Sequence, residues 1–167
     1  MQMSKIMMEA DALLKEIDDV FSFMEMPALA ELTCHQDDCY LCVEMLRYLN
    51  ASRNMKIDDA FIRRLHQELH HLSPYAFRWI LPHYLKFCLS SGGKYSQEEV
   101  YFLVYNLSPD PEFQDDVYRQ LSALNTAQIN CLVNFLKWCE GNEDWVEIMD
   151  DIDRAIKFLI TNVQISP

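Results

Sequence analysis

Apolar side chains recur at three- and four-residue intervals along almost the whole chain. This interval matches the ~3.6 residues per turn of an α-helix. The first such segment predicts an amphipathic helix and carries Ile6, Ala10, Leu13, Ile17, Val20 and Met24. No run with a two-residue period has a useful length, and the chain contains only three glycines. The pattern therefore predicts an all-α fold.

Capping residues and prolines divide this pattern into separate helices. Met26-Pro27 is expected to end or bend the first helix, and Pro82 to kink a later one. Later helix starts are predicted near Asp37 or Asp38 and at Asp58, Ser73-Pro74, Ser96, Pro111, Asn125 and Asn142. We expect about seven or eight helices around one core, forming a single all-helical domain over residues 1–167.

Composition narrows the classes of partner. Half of the 167 residues are hydrophobic, which is enough for one substantial core and argues against disorder. The formal net charge is −12. Binding to nucleic acid requires clustered Lys and Arg, so this charge predicts no nucleic-acid partner. An acidic surface instead suits a basic protein partner.

The segment at the N-terminus predicts neither a secretory leader nor a membrane anchor. Met1 to Met8 is too short an apolar stretch for a signal peptide, and Glu9 and Asp11 interrupt it. No stretch approaches the ~18 apolar residues that a membrane-spanning helix needs. The sequence therefore predicts a cytoplasmic protein whose six cysteines are thiols.

Several segments, taken in order, resemble a known family. They are Pro27, the Cys39-x-x-Cys42 pair, the block Leu72-Ser73-Pro74-Tyr75-Ala76-Phe77-Arg78-Trp79-Ile80-Leu81-Pro82, Leu107-Ser108-Pro109, and Leu124 to Gln128 leading into Val133 to Leu136. Together they resemble a bacterial family of small helical proteins without an assigned function, over about residues 27–138. The resemblance implies the helical fold and brings no catalytic residues with it.

A cluster of cysteine and histidine near residue 40 is compatible with a metal site, although the sequence favours core packing of the cysteines. Cys34, His35, Cys39 and Cys42 fall within nine positions. Thiolate and imidazole groups together suit Zn²⁺, which binds four such ligands tetrahedrally. Since Cys39 and Cys42 are three residues apart, they would share a helix face. Further ligands are available among the histidines of the third predicted helix, where the four-residue spacing favours the pair His66 and His70 over the neighbouring His71.

Core packing is the interpretation that the sequence favours for the same cysteines, and a reactive thiol is a third interpretation. Cys39, Cys42, Leu46 and Leu49 have the spacing of an ordinary buried helix stripe, and free cysteine packs as a small hydrophobe. Cys39 also lies near a predicted helix start, where the helix dipole lowers a thiol pKa, although neighbouring aspartates oppose this effect.

Other catalytic patterns are absent from the sequence. The segment His66-Gln67-Glu68-Leu69-His70 has the glutamate one position away from its place in the zinc-protease helix motif. There is no glycine-rich phosphate loop and no nucleophile elbow. The sequence therefore favours a non-enzymatic protein.

The last predicted helix suggests how such a protein would work. It carries six acidic residues, Glu143, Asp144, Glu147, Asp150, Asp151 and Asp153. The favoured interpretation of this helix alone is the solvated face of an amphipathic helix. Because the whole chain is small and acidic and has no catalytic pattern, we expect a protein–protein interaction domain with an acidic docking surface, of the kind that an immunity protein uses toward a basic toxin. A homo-oligomer through an exposed apolar helix face is also compatible with the pattern. A zinc-binding helical protein is the alternative function.

Overall fold

The computed structural model of the chain describes residues 2–34 and 39–163, with the side chains at 2–8, 66, 162 and 163 excepted. Within these residues the chain forms nine α-helices: α1 Gln2–Val20, α2 Tyr40–Ala51, α3 Asp59–Leu65, α4 Pro74–Leu89, α5 Ser91–Ser96, α6 Glu98–Leu107, α7 Gln114–Gln120, α8 Thr126–Glu140 and α9 Met149–Phe158. Short 3₁₀ segments are Leu29–Glu31, His66–His71, Pro111–Phe113, Leu121–Ala123 and Glu143–Ile148, and the π-helical segment Leu159–Val163 follows α9. The helix start predicted at Asp37 or Asp38 lies outside the described residues. The all-α prediction is confirmed.

Helix α4 lies at the centre of a single hydrophobic core. Ten of its sixteen residues are buried, including Trp79 and Tyr84. α1 packs against both α4 and α8, and α9 packs against α6 and α8. The α1–α8 contact is fixed at two places, where Asn134 Nδ2 donates to Glu16 Oε1 at 2.9 Å and Gln128 Nε2 donates to the carbonyl of Val20 at 3.2 Å.

Four of the predicted helix starts have a side-chain cap. Asp58 Oδ1 accepts from the amide of Phe61 at 2.9 Å, and Asn142 Oδ1 accepts from the amide of Asp144 at 3.1 Å. Ser73 is the N-cap of α4, where its Oγ accepts from the amide of Ala76 at 3.1 Å and Pro74 takes the first helical position. Asn125 and Gln128 form a reciprocal capping box at the start of α8, with bonds of 2.9 and 3.0 Å. These bonds satisfy amides that the first turn of a helix otherwise leaves without partners.

The region between α4 and α6 differs from the prediction. Ser96 belongs to α5, and Gln97 links α5 to α6 in a left-handed conformation, with φ 61° and ψ −22°. No side-chain cap bond forms at Gln97, so the capping box predicted from Ser96 was wrong. Gly93, expected beyond a helix end, lies inside α5, where a Cβ would stand 2.2 Å from the carbonyl oxygen of Phe87. Only glycine allows α5 to turn so closely off α4.

The predicted third helix also ends early. α3 stops at Leu65, and His66–His71 continue as a 3₁₀ helix. The segment 29–34 then pairs with the end of that 3₁₀ helix through a bridge between Thr33 and Leu72, the one β-type pairing in the described residues. The amide of Cys34 donates to the carbonyl of His71 at 3.0 Å. The amide of Ser73 donates to the carbonyl of Leu32 at 3.1 Å. These bonds hold the histidine-bearing segment beside the start of α2.

Candidate metal centre

Three potential metal ligands meet where α2 begins. Cys39 is the N-cap residue of α2, Cys42 lies in its first turn, and His71 ends the 3₁₀ segment. Their ligand atoms all lie within 4.8 Å of one another. Cys42 is buried, while Cys39 and His71 are half-buried. The group therefore combines two helix positions three residues apart with one residue 29 positions further along the chain.

The ring of His71 is oriented by contacts at both nitrogens. Its Nδ1 lies 3.4 Å from Cys42 Sγ. Its Nε2 lies 3.3 Å from a carboxylate oxygen of Glu68. A histidine that binds a metal through one nitrogen commonly has a carboxylate at the other, which fixes the tautomer and makes the ligand more basic. In His71 the Glu68 carboxylate lies at ion-pair distance from Nε2, without the geometry of a hydrogen bond.

The Cys42–His71 distance is close to the value that zinc requires. Zn–S and Zn–N bonds of about 2.3 and 2.0 Å in a tetrahedron place sulfur and nitrogen about 3.5 Å apart. The 3.4 Å between Cys42 Sγ and His71 Nδ1 matches this separation. The same distance also fits a thiol–imidazole hydrogen bond, in which the S–H of Cys42 donates to Nδ1. The two interpretations predict different metal contents for the purified protein.

The position of Cys39 favours a thiolate. The backbone amide of Cys42, followed by its thiol, lowers the pKa of the Cys39 thiol, while burial and the Glu68 carboxylate oppose this shift. A thiolate is the form that binds metal. By contrast, burial raises the pKa of the thiols of Cys88, Cys131 and Cys139, which keeps them protonated in the core.

A cleft of about 790 Å³ lies on the other side of the histidine segment. His70 and His71 form part of one wall, and Phe102, Tyr105, Phe113 and Val117 supply apolar surface. Two buried amides fix its base: Asn106 donates to Gln120 at 2.9 Å, and Gln120 donates to the carbonyls of Leu69 and Leu72 at 2.7 and 3.0 Å. His71 thus lies between the metal-ligand group and the cleft.

Comparison with known proteins places the chain in a family. A family model described as "Family of unknown function (DUF6714)" matches residues 42–163. The chain belongs to this family. No curated protein and no solved structure matches the chain. The DUF6714 match agrees with the predicted resemblance to a helical family without an assigned function, although it begins and ends further along the chain.

The DUF6714 match covers only part of the metal-ligand group. Cys42 is its first residue, and Glu68 and His71 lie within it. Cys39 precedes it.

Within the described part of the chain, no helix has both the length and the apolar character needed to cross a membrane.

The structure brings together two of the six residues predicted as ligands. Cys39 and Cys42 belong to the group. Cys34 lies apart from it: its thiol donates to the carbonyl of Leu72 at 3.0 Å, and burial raises its pKa. His70 is exposed, and its ring contacts that of His71 with centroids 3.9 Å apart and ring planes inclined by 41°. His35 lies outside the described residues, as does the side chain of His66.

His71 joins the group because the segment is not α-helical. The pairing of His66 with His70 assumed an α-helix, in which residues four apart share a face. In a 3₁₀ helix of ~3.0 residues per turn, residues three apart share a face instead. Glu68 and His71 are three apart and lie in contact. The helix start at Ser73 signals only that a helix ends before Leu72, and it does not distinguish an α-helix from a 3₁₀ helix over His66–His71.

Proposed function

We propose that this DUF6714 protein binds one Zn²⁺ ion through Cys39, Cys42 and His71. The observation that carries the proposal is the 3.4 Å contact between Cys42 Sγ and His71 Nδ1, with Glu68 at the opposite ring nitrogen. Two sulfurs and one imidazole form a donor set that Zn²⁺ prefers. These three ligands leave the fourth tetrahedral position for water or a further protein ligand.

The proposed role of the ion is structural. Cys39 and Cys42 belong to the start of α2, and His71 belongs to the 3₁₀ segment before α4. An ion held by all three would tie these two parts of the chain together, and its binding free energy would add to the stability of the fold. The cytoplasmic location predicted from the sequence belongs to this proposal, because a reducing compartment keeps both thiols available.

Zinc content tests the proposal directly. Protein purified without a histidine tag or a chelator is expected to contain about one zinc per chain by elemental analysis, and replacement by Co²⁺ should give a thiolate-to-cobalt absorption band. Cys42→Ser and His71→Ala should each remove the metal. A strong chelator should lower the melting temperature of the wild type and leave that of Cys42→Ser unchanged.

Three further variants test the choice of ligands. Cys34→Ser and His70→Ala change two residues that the sequence alone favoured, and both should retain zinc. Glu68→Gln should retain the fold while weakening zinc affinity by about 10- to 100-fold, because the carboxylate supports His71. A wild-type protein without stoichiometric metal would show that Cys42 and His71 form only a hydrogen bond.

We also propose a protein–protein interaction role for the mouth of the cleft. Tyr105 and Phe113 are 73% and 52% exposed there. Asp110 and Asp116 stand beside them, both exposed. Exposed aromatic side chains next to carboxylates suit a basic segment of a partner protein, in keeping with the acidic docking surface predicted from the sequence. This role is non-enzymatic and independent of the metal.

A further inference from the structure

We infer that Cys39 and Cys42 form a site of reversible oxidation, at which a peroxide converts the two thiols into a disulfide and releases the zinc. This inference rests on the proposed zinc function. It assigns a second chemical property to the same pair of residues, because their sulfurs can serve as metal ligands or as partners in a covalent bond.

The two sulfurs are close and unequal in accessibility. They lie within 4.8 Å of each other. Cys39 is half-buried, whereas Cys42 is buried behind it with His71 against its sulfur. A peroxide would therefore meet Cys39 first, and Cys42 is placed to attack the oxidised sulfur. An accessible thiol with a resolving cysteine beside it is the usual arrangement of a redox-sensitive pair.

The backbone allows the sulfurs to approach without disrupting α2. Cys39 precedes the first helical residue and has extended dihedral angles, φ −118° and ψ 111°. Its carbonyl accepts from the amide of Val43 at 3.0 Å, a bond that does not involve the side chain. Rotation of the Cys39 side chain therefore changes the sulfur–sulfur distance without breaking this hydrogen bond.

Oxidation and metal binding exclude each other. Two sulfurs on one tetrahedral zinc are about 3.8 Å apart, whereas a disulfide holds them at about 2.05 Å. In the reaction the thiolates of Cys39 and Cys42 give two electrons to hydrogen peroxide. The O–O bond breaks, the S–S bond forms, and two protons from solvent complete two water molecules. Zn²⁺ leaves because only His71 remains as a ligand in the group.

The other cysteines have different surroundings. Cys88, Cys131 and Cys139 are buried in the core. Cys34 is exposed, but it lies outside the metal-ligand group and its thiol donates to the carbonyl of Leu72. We therefore assign the disulfide to Cys39 and Cys42 and to no other pair.

Peroxide titration of the zinc-loaded full chain tests the inference. Released zinc is measured with a colorimetric chelator, and the disulfide is located by peptide mass mapping. We expect one zinc released per Cys39–Cys42 disulfide formed, and recovery of zinc binding after reduction with dithiothreitol and addition of zinc. Cys131→Ser is the matched control, because it removes one buried thiol and should release zinc like the wild type.

The outcomes separate this inference from the zinc proposal. A zinc-loaded chain whose Cys39 and Cys42 stay reduced in peroxide, or whose disulfide involves Cys34, overturns the inference and leaves the zinc function standing. A chain that contains no zinc but forms the Cys39–Cys42 disulfide refutes the zinc function and supports the oxidation site. For Cys39→Ser, which lacks the accessible thiol and one zinc ligand, the readout is peptide mass mapping alone, and a peroxide-induced disulfide at Cys42 would also contradict the inference.

Discussion

At the scale of single residues, Gly93 is the position where the fold tolerates no side chain. A Cβ there would stand 2.2 Å from the carbonyl oxygen of Phe87 and 2.8 Å from the Cα of Cys88. Both atoms belong to the backbone of α4, so rotation of a side chain cannot relieve the contact. Gly141 differs, because a Cβ there would meet nothing closer than the Lys137 carbonyl oxygen at 3.6 Å.

We predict that Gly93→Ala lowers the free energy of unfolding by about 2–3 kcal/mol, because α5 must move away from α4. Gly141→Ala, the matched control, should change it by less than about 1 kcal/mol, and in the stabilising direction, because its backbone already has helical dihedral angles. Urea unfolding followed by tryptophan fluorescence measures both values. Equal effects from the two substitutions would contradict the prediction.

The residues of the candidate metal centre show which ligands can be predicted from their spacing in the sequence and which cannot. Cys39 and Cys42 could be paired from the sequence, because a three-residue spacing places side chains on one face of a helix. His71 could not be chosen over His70 on that basis, since the choice depends on whether the segment is an α-helix or a 3₁₀ helix. That outcome is decided by the tertiary contacts of Thr33 and Leu32 with Leu72 and Ser73, which lie about 40 residues apart in sequence.

At the scale of whole elements, the sequence predicted a helix start correctly where one side chain caps one helix. Ser73 and Asn125 were predicted as caps, and each accepts a hydrogen bond from the amide three residues later. The α5–α6 junction was not predictable in this way. There, Gln97 takes a left-handed conformation that its type does not favour, because two helices meet without an intervening loop.

Replacement of Gln97 by glycine should therefore stabilise the protein. Gln97 has φ 61°, where a Cβ is unfavourable, so Gln97→Gly is expected to raise the free energy of unfolding by about 0.5–1 kcal/mol. Gln114 is the matched control, because it begins α7 with φ −60°. Gln114→Gly should lower stability by about 0.5–1 kcal/mol. Chemical denaturation of both variants checks the opposite signs, and a loss of stability in Gln97→Gly would refute the account of the junction.

At the scale of the whole molecule, the net charge is −12, and the acidic faces differ in how closely basic side chains approach their carboxylates. On α9, Asp151 and Asp153 contact Arg154 and Lys157 at 2.7 and 2.6 Å, which partly neutralises that face. At the cleft mouth the ion pairs are longer: Asp116 lies 3.6 Å from Arg119, and Asp110 lies 4.0 Å from Arg154. The carboxylates beside the cleft are therefore the more available for a basic partner.

A charge-matched pair of double variants tests which acidic face binds a basic segment. We predict that a hexalysine peptide, titrated at low salt, binds Asp110→Asn/Asp116→Asn about 2- to 10-fold more weakly than the wild type, whereas Asp151→Asn/Asp153→Asn binds within about 2-fold of it. Added salt should weaken all three interactions. Calorimetry gives the affinities, and a larger loss in the α9 variant would place the docking surface on the last helix instead.

The packing of α1 against α8 has a consequence for how the protein is made. The hydrogen bonds between them join residues 108 and 118 positions apart. During synthesis at about 5–20 residues per second, α1 leaves the ribosome roughly 5–20 seconds before the segment that covers it. Its apolar stripe, which includes Leu13 and Ile17, is exposed to solvent or to a chaperone for that time. The first helix of the chain is therefore among the last to reach its final place, and its exposed stripe is where a nascent chain would first aggregate.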